Sequence, residues 1–191
     1  MNTKDFFTKV NLDFSDIDVD DLVLTFSHHY LDNDRAVFVV YHTEFEFVDY
    51  IKSRLPLSFQ SWIKNVRITE VKGGTLAPHI DFRGSVCINF YLTTGDGCTT
   101  FWSANKDAVA ISIEGESTNN IYNTYEDLIY ECSFIAEKNS CYLLNTGKIH
   151  SVSIENKTCI RKILQLTFDP DITYNMVLDK LTELNLIKET E

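Results

Sequence analysis

His79 and Asp81 lie two positions apart in the segment Pro78-His79-Ile80-Asp81. On extended backbone, residues i and i+2 point to the same face, so this imidazole and this carboxylate can reach one metal ion. The pair alone is a weak signal, because a surface strand with one polar pair is its ordinary explanation. It becomes a candidate metal site only if a further ligand lies elsewhere in the chain.

A second histidine and an arginine follow later in the chain. His150 begins a predicted late strand after the turn-forming residues 145–148, and Arg161 lies eleven positions further on, inside an apolar strand. Two histidines and one carboxylate on one face of an octahedron are the ligand set of non-haem Fe(II) oxygenases, and they leave three positions open. The sequence therefore predicts an Fe(II) site made of His79, Asp81 and His150.

Arg161 is a candidate anchor for a 2-oxo acid that chelates such an ion. A planar guanidinium binds a carboxylate through two hydrogen bonds and stays charged at every relevant pH. An unpaired guanidinium inside an apolar strand would be costly to bury, so its position favours a bound anion. The alternative is that Arg161 lies on the outer face of its strand and meets solvent.

Short β-rich runs separated by turn-forming residues predict a sandwich or jelly roll around these positions. Residues 116–130 are polar with weak periodicity, which predicts a long surface loop and a candidate lid. About eight strands are expected in all, at residues 36–41, 66–72, 85–92, 98–102, 108–113, 131–136, 141–144 and 159–168.

Helices are predicted on both sides of this β-rich region. The sequence Thr43-Glu44-Phe45-Glu46 matches a capping box, and apolar residues at helical spacing continue from it until Pro56. No repeat or linker indicates a second domain, so we predict one domain over residues 1–191 with its core at about 66–168. A second amphipathic helix is predicted from the stripe Tyr174, Val177, Leu178, Leu181 and Leu184.

The combination of an HxD pair, a distant histidine and a basic residue soon after it resembles the 2-oxoglutarate/Fe(II)-dependent dioxygenases. The match covers residues 66–168, and the text around His79 and His150 looks most like the aspartyl/asparaginyl β-hydroxylase and prolyl-hydroxylase-like branches. The resemblance implies a mainly β fold, a double-stranded β-helix (jelly roll, cupin-like) with flanking helices. It also implies Fe(II) as cofactor and 2-oxoglutarate as co-substrate, which is converted with dioxygen to succinate and carbon dioxide while the substrate is hydroxylated. Related halogenases lack the carboxylate, so Asp81 argues against halogenation.

The chain departs from this family beside the arginine. Many relatives carry Ser or Thr two residues after it, whereas this chain has Ile163, so another donor must help Arg161 to hold the co-substrate. Asn89 and Tyr91 are the candidates, because they lie on the strand that continues from the HxD segment. Asn89 is the one that we predict to bind the co-substrate.

Two further residues are candidates for contact with the substrate. Arg83 has the same strand parity as His79 and Asp81 and would meet an anionic group at the cavity mouth, with a surface charge as the equal alternative. Trp102 ends a predicted strand and would stack on the substrate, although packing in the core is the commoner role of such an aromatic residue.

Composition limits the function classes. Seventeen basic residues against 28 acidic ones give a net charge of -11 and an isoelectric point near 4.8, which opposes non-specific attraction to nucleic acid. The five cysteines show no CxxC spacing and are predicted to be reduced thiols. With no signal-peptide segment and no membrane-spanning run in the sequence, we expect a soluble cytoplasmic protein.

We therefore expect an Fe(II)- and 2-oxoglutarate-dependent oxygenase that hydroxylates a small molecule or a residue of a peptide or protein. Two alternatives stay open. A cupin-like metal enzyme without 2-oxoglutarate would use the same jelly roll, although three histidines and a glutamate are usual there and Arg161 would have no role. A non-catalytic jelly-roll binding protein would keep the fold without needing all four residues.

Overall fold

The computed structural model describes residues 3–18, 25–30, 37–81, 86–106, 108–113, 119–122 and 125–188. The described chain is mainly β, and its strands form two antiparallel sheets with an apolar layer between them. This arrangement is the predicted jelly roll with flanking helices. In chain order the strands are β1 (Phe7–Val10), β2 (Thr25–Tyr30), β3 (Val37–His42), β4 (Ile63–Lys72), β5 (Gly74–Ile80), β6 (Cys87–Thr93), β7 (Cys98–Ala104), β8 (Ile111–Ile113), β9 (Asn119–Ile121), β10 (Leu128–Ile135), β11 (Cys141–Leu144), β12 (Ile149–Ile154) and β13 (Ile160–Phe168).

The two sheets differ in size and in what covers them. The larger sheet has seven strands in the order β1-β11-β6-β13-β4-β3-β2, and the smaller has six in the order β10-β7-β12-β5-β9-β8. The helices are α1 (Phe45–Ser53), α2 (Leu57–Gln60) and α3 (Tyr174–Glu183), with a short 3-10 helix at Thr3–Asp5. They pack on the outer face of the seven-stranded sheet and form one apolar cluster with it.

Alternation along β13 separates the two faces of the larger sheet. Leu164 and Leu166 belong to the cluster under the helices, whereas Ile163 belongs to the cluster between the sheets. Successive side chains of a strand point to opposite faces, so Arg161 and Gln165 share the inner face with Ile163. The second apolar cluster, which includes Phe101 from the smaller sheet, fills part of the space between the sheets.

The helices agree with the sequence in position and differ in one cap. α3 is confirmed, and Thr173 caps it by accepting a hydrogen bond from the Met176 backbone N–H at 3.3 Å. α1 begins at Phe45 as expected, but the predicted capping box is wrong, since Glu44 is the N-cap residue and makes no side-chain cap hydrogen bond. The Thr43 hydroxyl instead donates to the Val66 carbonyl at 3.0 Å. The Thr43 hydroxyl thus makes a hydrogen bond to β4 in place of the predicted capping hydrogen bond within α1.

The predicted loop at residues 116–130 is wrong in part. β9 lies within it, and β10 begins at Leu128. β9 pairs with β5 at only two positions, His79↔Ile121 and Ile80↔Asn120. β9 also pairs with β8 at three positions, and local polarity reveals neither partner. The β structure also extends before the predicted core, since β1 pairs with β11 and β3 pairs with β4.

None of the helices in the described part of the chain is long and apolar enough to cross a membrane.

The packing of α3 on the larger sheet gives the first prediction. Leu181 is fully buried, so Leu181→Ala should lower the free energy of unfolding by about 2–5 kcal/mol, because it removes apolar contacts and leaves a cavity. Urea denaturation measures this loss. Met176→Ala is the control on the same helix, since Met176 is 40% exposed and its truncation should change stability little. Equal losses in the two variants would contradict this packing.

Candidate metal centre

The three predicted metal ligands come together at one end of the smaller sheet. β5 and β12 pair so that His79 lies directly opposite His150. Asp81 follows β5, and its backbone N–H donates to the Thr146 carbonyl at 3.1 Å. Ligand atoms of His79, Asp81 and His150 all lie within 4.8 Å of one another. Two histidines and one carboxylate at this spacing can converge on one ion.

The pairing of β5 with β12 is irregular beside the site. His150 faces His79, but Val152 faces Leu76, so β5 carries one extra residue between these pairs. Pro78 lies in this stretch, and a proline, which has no backbone N–H, is tolerated in a strand where the ladder is interrupted. The bulge sets the direction in which His79 leaves the strand.

Backbone hydrogen bonds orient both imidazoles. His79 Nδ1 lies 2.7 Å from the Ala77 carbonyl, and His150 Nδ1 lies 3.0 Å from the Lys148 carbonyl. A carbonyl oxygen only accepts, so Nδ1 carries the proton in each ring and Nε2 keeps a free lone pair when the ring is neutral. The Nε2 atoms of His79 and His150 lie 3.4 Å and 3.9 Å from Asp81 Oδ1. The donor set therefore fits a divalent first-row metal ion.

The three groups shift one another's protonation. Burial raises the pKa of Asp81, but its hydrogen bond to His79 and the nearby charges of His150, His79 and Arg67 outweigh this and lower it to about 2. Burial and the charge of His79 lower the pKa of His150 to about 4. Burial also lowers the pKa of His79, but Asp81 outweighs it through a hydrogen bond and its charge, so the net shift is upward. Asp81 and His150 are thus ready to bind a cation at neutral pH.

Arg161 is buried between the sheets, at 1% exposure, so the alternative that it faces solvent is wrong. Its Nη2 donates to the Tyr91 hydroxyl and to the Thr99 hydroxyl, both at 2.7 Å, and the guanidinium lies over the Tyr91 ring. Nε and Nη1 have no hydrogen-bond partner, and the guanidinium forms no salt bridge with any residue that the structure describes. A buried cation with unused donors has the properties of a binding site for an anion.

Two hydroxyl groups contact Arg161, whose strand carries Ile163 where the sequence analysis looked for a further donor. Tyr91, one of the two candidates, contacts Arg161 directly, but Thr99 was missed by the sequence analysis. Thr99 lies on β7 in the opposite sheet, and no local pattern links it to Arg161. The Cys87 thiol donates to the Asn89 side chain, which also hydrogen-bonds Tyr91. Asn89 is therefore one residue removed from Arg161, and its role in co-substrate binding stays a prediction.

Gly97 explains how Arg161 fits beside β7. A Cβ atom at position 97 would lie 2.9 Å from Arg161 Cδ, closer than real side chains approach. Glycine at this position lets the aliphatic part of the arginine pass against the backbone. The turn that precedes β7 thus has a direct role in seating the guanidinium.

Strand geometry relates Arg161 to the metal ligands. On β7, Phe101 pairs with His150, and Thr99 pairs with Val152. Thr99 and Phe101 share a face two residues apart, a separation of about 7 Å. The Phe101 ring lies 5.9 Å from the His150 ring, and the Thr99 hydroxyl contacts Arg161. The Arg161 guanidinium therefore lies about one strand repeat deeper between the sheets than the metal ligands.

Of the two candidates for contact with the substrate, only Trp102 lies among the described residues. Arg83 is outside the described residues. Trp102 follows the inward-facing Phe101, so its indole lies on the outer face of the smaller sheet, where its N–H donates to the Ser151 hydroxyl at 2.9 Å. Any contact of Trp102 with a substrate stays a prediction for that outer face. Lys162, which follows Arg161 on β13 and would be the next candidate for binding an anion, already has an anionic partner, since its Nζ lies 3.4 Å from Glu70 Oε1.

Comparison with known proteins gives remote similarity in shape only. No protein-family profile and no curated protein matches the sequence. The Escherichia coli protein YcfD, described as a ribosomal oxygenase, is 14% identical over 84% of this chain and 43% of its own, with a TM-score of 0.44. The vicilin of hazelnut (Corylus avellana) is 10% identical over 75% of this chain and 31% of its own, with a TM-score of 0.39. This chain spans less than half the length of either protein.

The convergence of the three ligands predicts a divalent metal site. Asp81→Ala should reduce Fe(II) and Mn(II) affinity by at least about tenfold, because it removes the charged ligand and its fixed oxygen. Isothermal titration calorimetry under nitrogen measures the metal affinity of each variant. Asp171→Ala, which removes an exposed carboxylate in the turn before α3, is the control and should bind the metal normally. Wild-type affinity in Asp81→Ala would contradict the site.

The raised pKa of His79 predicts proton release on metal binding. Below that pKa His79 is protonated, and the metal must displace the proton, whereas Asp81 and His150 have already lost theirs. Metal affinity should therefore rise with pH until His79 has lost its proton, with about one proton released per ion below the pKa of His79. Titration calorimetry in buffers of different ionisation enthalpy counts the protons. His42→Gln should give the same profile, and a pH-independent affinity would contradict this assignment.

Proposed function

We propose that this protein is an Fe(II)- and 2-oxoglutarate-dependent oxygenase that hydroxylates a small molecule or a residue of a peptide or protein. The observation that supports this most strongly is the buried guanidinium of Arg161, which has unused donors and lies about one strand repeat from a His-Asp-His cluster. A structural arginine would be expected to have an acidic partner at this depth, and none of the described residues supplies one.

His79, Asp81 and His150 would hold the Fe(II) ion. When bound there, Fe(II) supplies the chemistry of oxidative decarboxylation, in which 2-oxoglutarate and dioxygen give succinate, carbon dioxide and a hydroxylated substrate. The chain's own contribution is to fix the donor atoms before any ligand arrives. The carbonyls of Ala77 and Lys148 orient the two imidazoles, so little reorganisation is needed on binding.

Arg161 would bind the far carboxylate of 2-oxoglutarate. A charge-assisted hydrogen bond is strong where water is excluded, and the guanidinium is almost completely buried. Tyr91 and Thr99 fix it from two different sheets, and they provide hydroxyl groups beside the same carboxylate. A five-carbon diacid is of a suitable length to extend over the separation of about 7 Å between this site and the level of the metal ligands.

Phe101 and Ile163 are the apolar part of this site. Both are buried, and the ring of Phe101 packs beside His150. Apolar side chains next to the ligands limit the access of water, which strengthens the electrostatic contacts inside the cavity. The arrangement favours an enzyme that binds its co-substrate deep and meets its substrate nearer the open end.

The direct test is an anaerobic titration of the Fe(II)-loaded protein with 2-oxoglutarate. Chelation of Fe(II) by a 2-oxo acid gives a weak visible absorption band, and we expect this band in the wild type and its loss in His150→Ala. A protein that binds Fe(II) without the band would be a metal protein that does not use 2-oxoglutarate. A protein that binds neither would be a jelly-roll binding protein.

Replacing Arg161 by an apolar residue distinguishes its effect on 2-oxoglutarate affinity from its effect on the stability of the protein. Arg161→Met should lower 2-oxoglutarate affinity by about tenfold or more and leave metal affinity unchanged, because only the distal carboxylate loses its partner. The free energy of unfolding should not fall, since an apolar side chain of similar volume replaces an unpaired buried charge. Titration of the band and urea denaturation measure the two effects.

Arg54→Met is the matched control for this variant. Arg54 is a surface arginine that pairs with Asp16 at 2.6 Å, so its loss should leave 2-oxoglutarate affinity unchanged. If Arg161→Met kept the wild-type co-substrate affinity, the anchor would have to be another residue.

A further inference from the structure

A row of polar side chains crosses the inner face of the larger sheet. Backbone pairing places Asn89 opposite Gln165, Gln165 opposite Arg67, and Arg67 opposite His42. Side chains at directly paired positions lie on the same face and are neighbours. Gln165 lies two residues beyond Ile163, the residue that β13 contributes to the apolar cluster between the sheets. A face that only packed against the other sheet would carry apolar residues here.

Hydrogen bonds hold this row in one conformation. Arg67 Nε donates to Gln165 Oε1 at 2.6 Å, and Gln165 Nε2 lies 3.7 Å from Cys87 Sγ. The Cys87 thiol in turn reaches Asn89 Oδ1 at 3.5 Å. Gln165 and Asn89 are buried, at 8% and 5% exposure, whereas Arg67 is only partly buried. The guanidinium is thus fixed along one side by a buried amide.

The terminal nitrogens of Arg67 have no partner among the residues that the structure describes, and Arg67 forms no salt bridge with them. Its positive charge acts on Asp81, one of the metal ligands, and on Cys87 beside the site. The chain as a whole has a net charge of -11, so an anion is not attracted to the protein at large. The fixed positive charge of Arg67 close to the metal ligands can nevertheless attract an anion to this part of the protein.

Arg67 and Arg161 are separate sites. Arg161 pairs with Val71, which is four residues from Arg67 on β4 and shares its face. Four residues of strand span about 13 Å between Cα atoms, and each guanidinium is held by its own partners, Arg161 by the Tyr91 and Thr99 hydroxyls and Arg67 by the Gln165 amide. A co-substrate bound by Arg161 and the metal leaves Arg67 available to another anion.

We propose that Arg67, held in place by Gln165, binds a carboxylate group of the substrate and so selects carboxylate-bearing substrates. This inference rests on the proposed oxygenase function, because it assigns the substrate of that same site. Two coplanar terminal N–H groups match the two oxygens of a carboxylate. A single guanidinium held by the neutral amide of Gln165 suits one negative charge better than the higher charge of a phosphate.

The test uses Mn(II)-loaded protein saturated with 2-oxoglutarate under nitrogen. Mn(II) is paramagnetic, so the protons of any small molecule bound near it relax faster in NMR. The probes are N-acetylalanine, N-acetylleucine and N-acetylphenylalanine, each compared with its own carboxamide. In the wild type the acids should bind about tenfold or more tightly than the amides, because each amide loses a charge-assisted contact.

Arg67→Gln should remove this preference, and Arg67→Lys should keep part of it. Lys64→Gln is the matched control, since it removes an exposed positive charge from the same strand and should retain the full preference. Equal relaxation of acids and amides in the wild type, an absence of relaxation for every acid, or a preference that survives in Arg67→Gln would each overturn the inference. The methylene protons of 2-oxoglutarate report separately on the proposed function, which fails if Mn(II) does not relax them.

Discussion

The antiparallel pairing of β5 with β12 sets His79 opposite His150, and the geometry of the candidate centre depends on it. The two strands are far apart in the chain, and the imidazoles meet only when the smaller sheet has closed. Asp81 is then held by its backbone hydrogen bond to Thr146 in the loop before β12. A slip of one residue in this pairing would turn the two histidines to opposite faces of the sheet and destroy the cluster. The bulge beside Pro78 makes such a slip costly, because an irregular ladder has few alternative registers.

The larger sheet shows how one set of strands serves stability and binding at once. Its outer face carries an apolar layer under α1, α2 and α3, which supplies the main hydrophobic core. Its inner face is apolar only in part, and elsewhere it presents Arg161 and the polar row that contains Arg67. Burying the Arg161 guanidinium without an acidic partner lowers the stability of the folded protein. The packing of the helices on the outer face offsets this cost.

The sequence predicted those parts of the site that depend on local spacing. His79 and Asp81 share a face because they are two residues apart, and the apolar stripe of α3 is visible without any partner. The contact of Thr99 with Arg161 was not predictable, because it depends on which strand of the opposite sheet lies above β13. β9 was missed because local polarity does not show that this segment pairs with β8 and with the more distant β5. The capping box failed because a tertiary hydrogen bond to β4 competed for the Thr43 hydroxyl.

The metal ligands and the two arginines lie on different sheets, so a ligand that contacts both groups would connect the sheets. The metal ligands belong to the smaller sheet and the loop that follows β5, whereas the two arginines belong to β13 and β4 of the larger one. A diacid bound by Arg161 at one end and by a metal ion at the other would link the two sheets. Without it the sheets contact each other through an apolar layer that fills only part of the space between them. The bound diacid would then oppose separation of the two sheets, and the sheets would separate more easily in the protein without the diacid than in the protein that binds it.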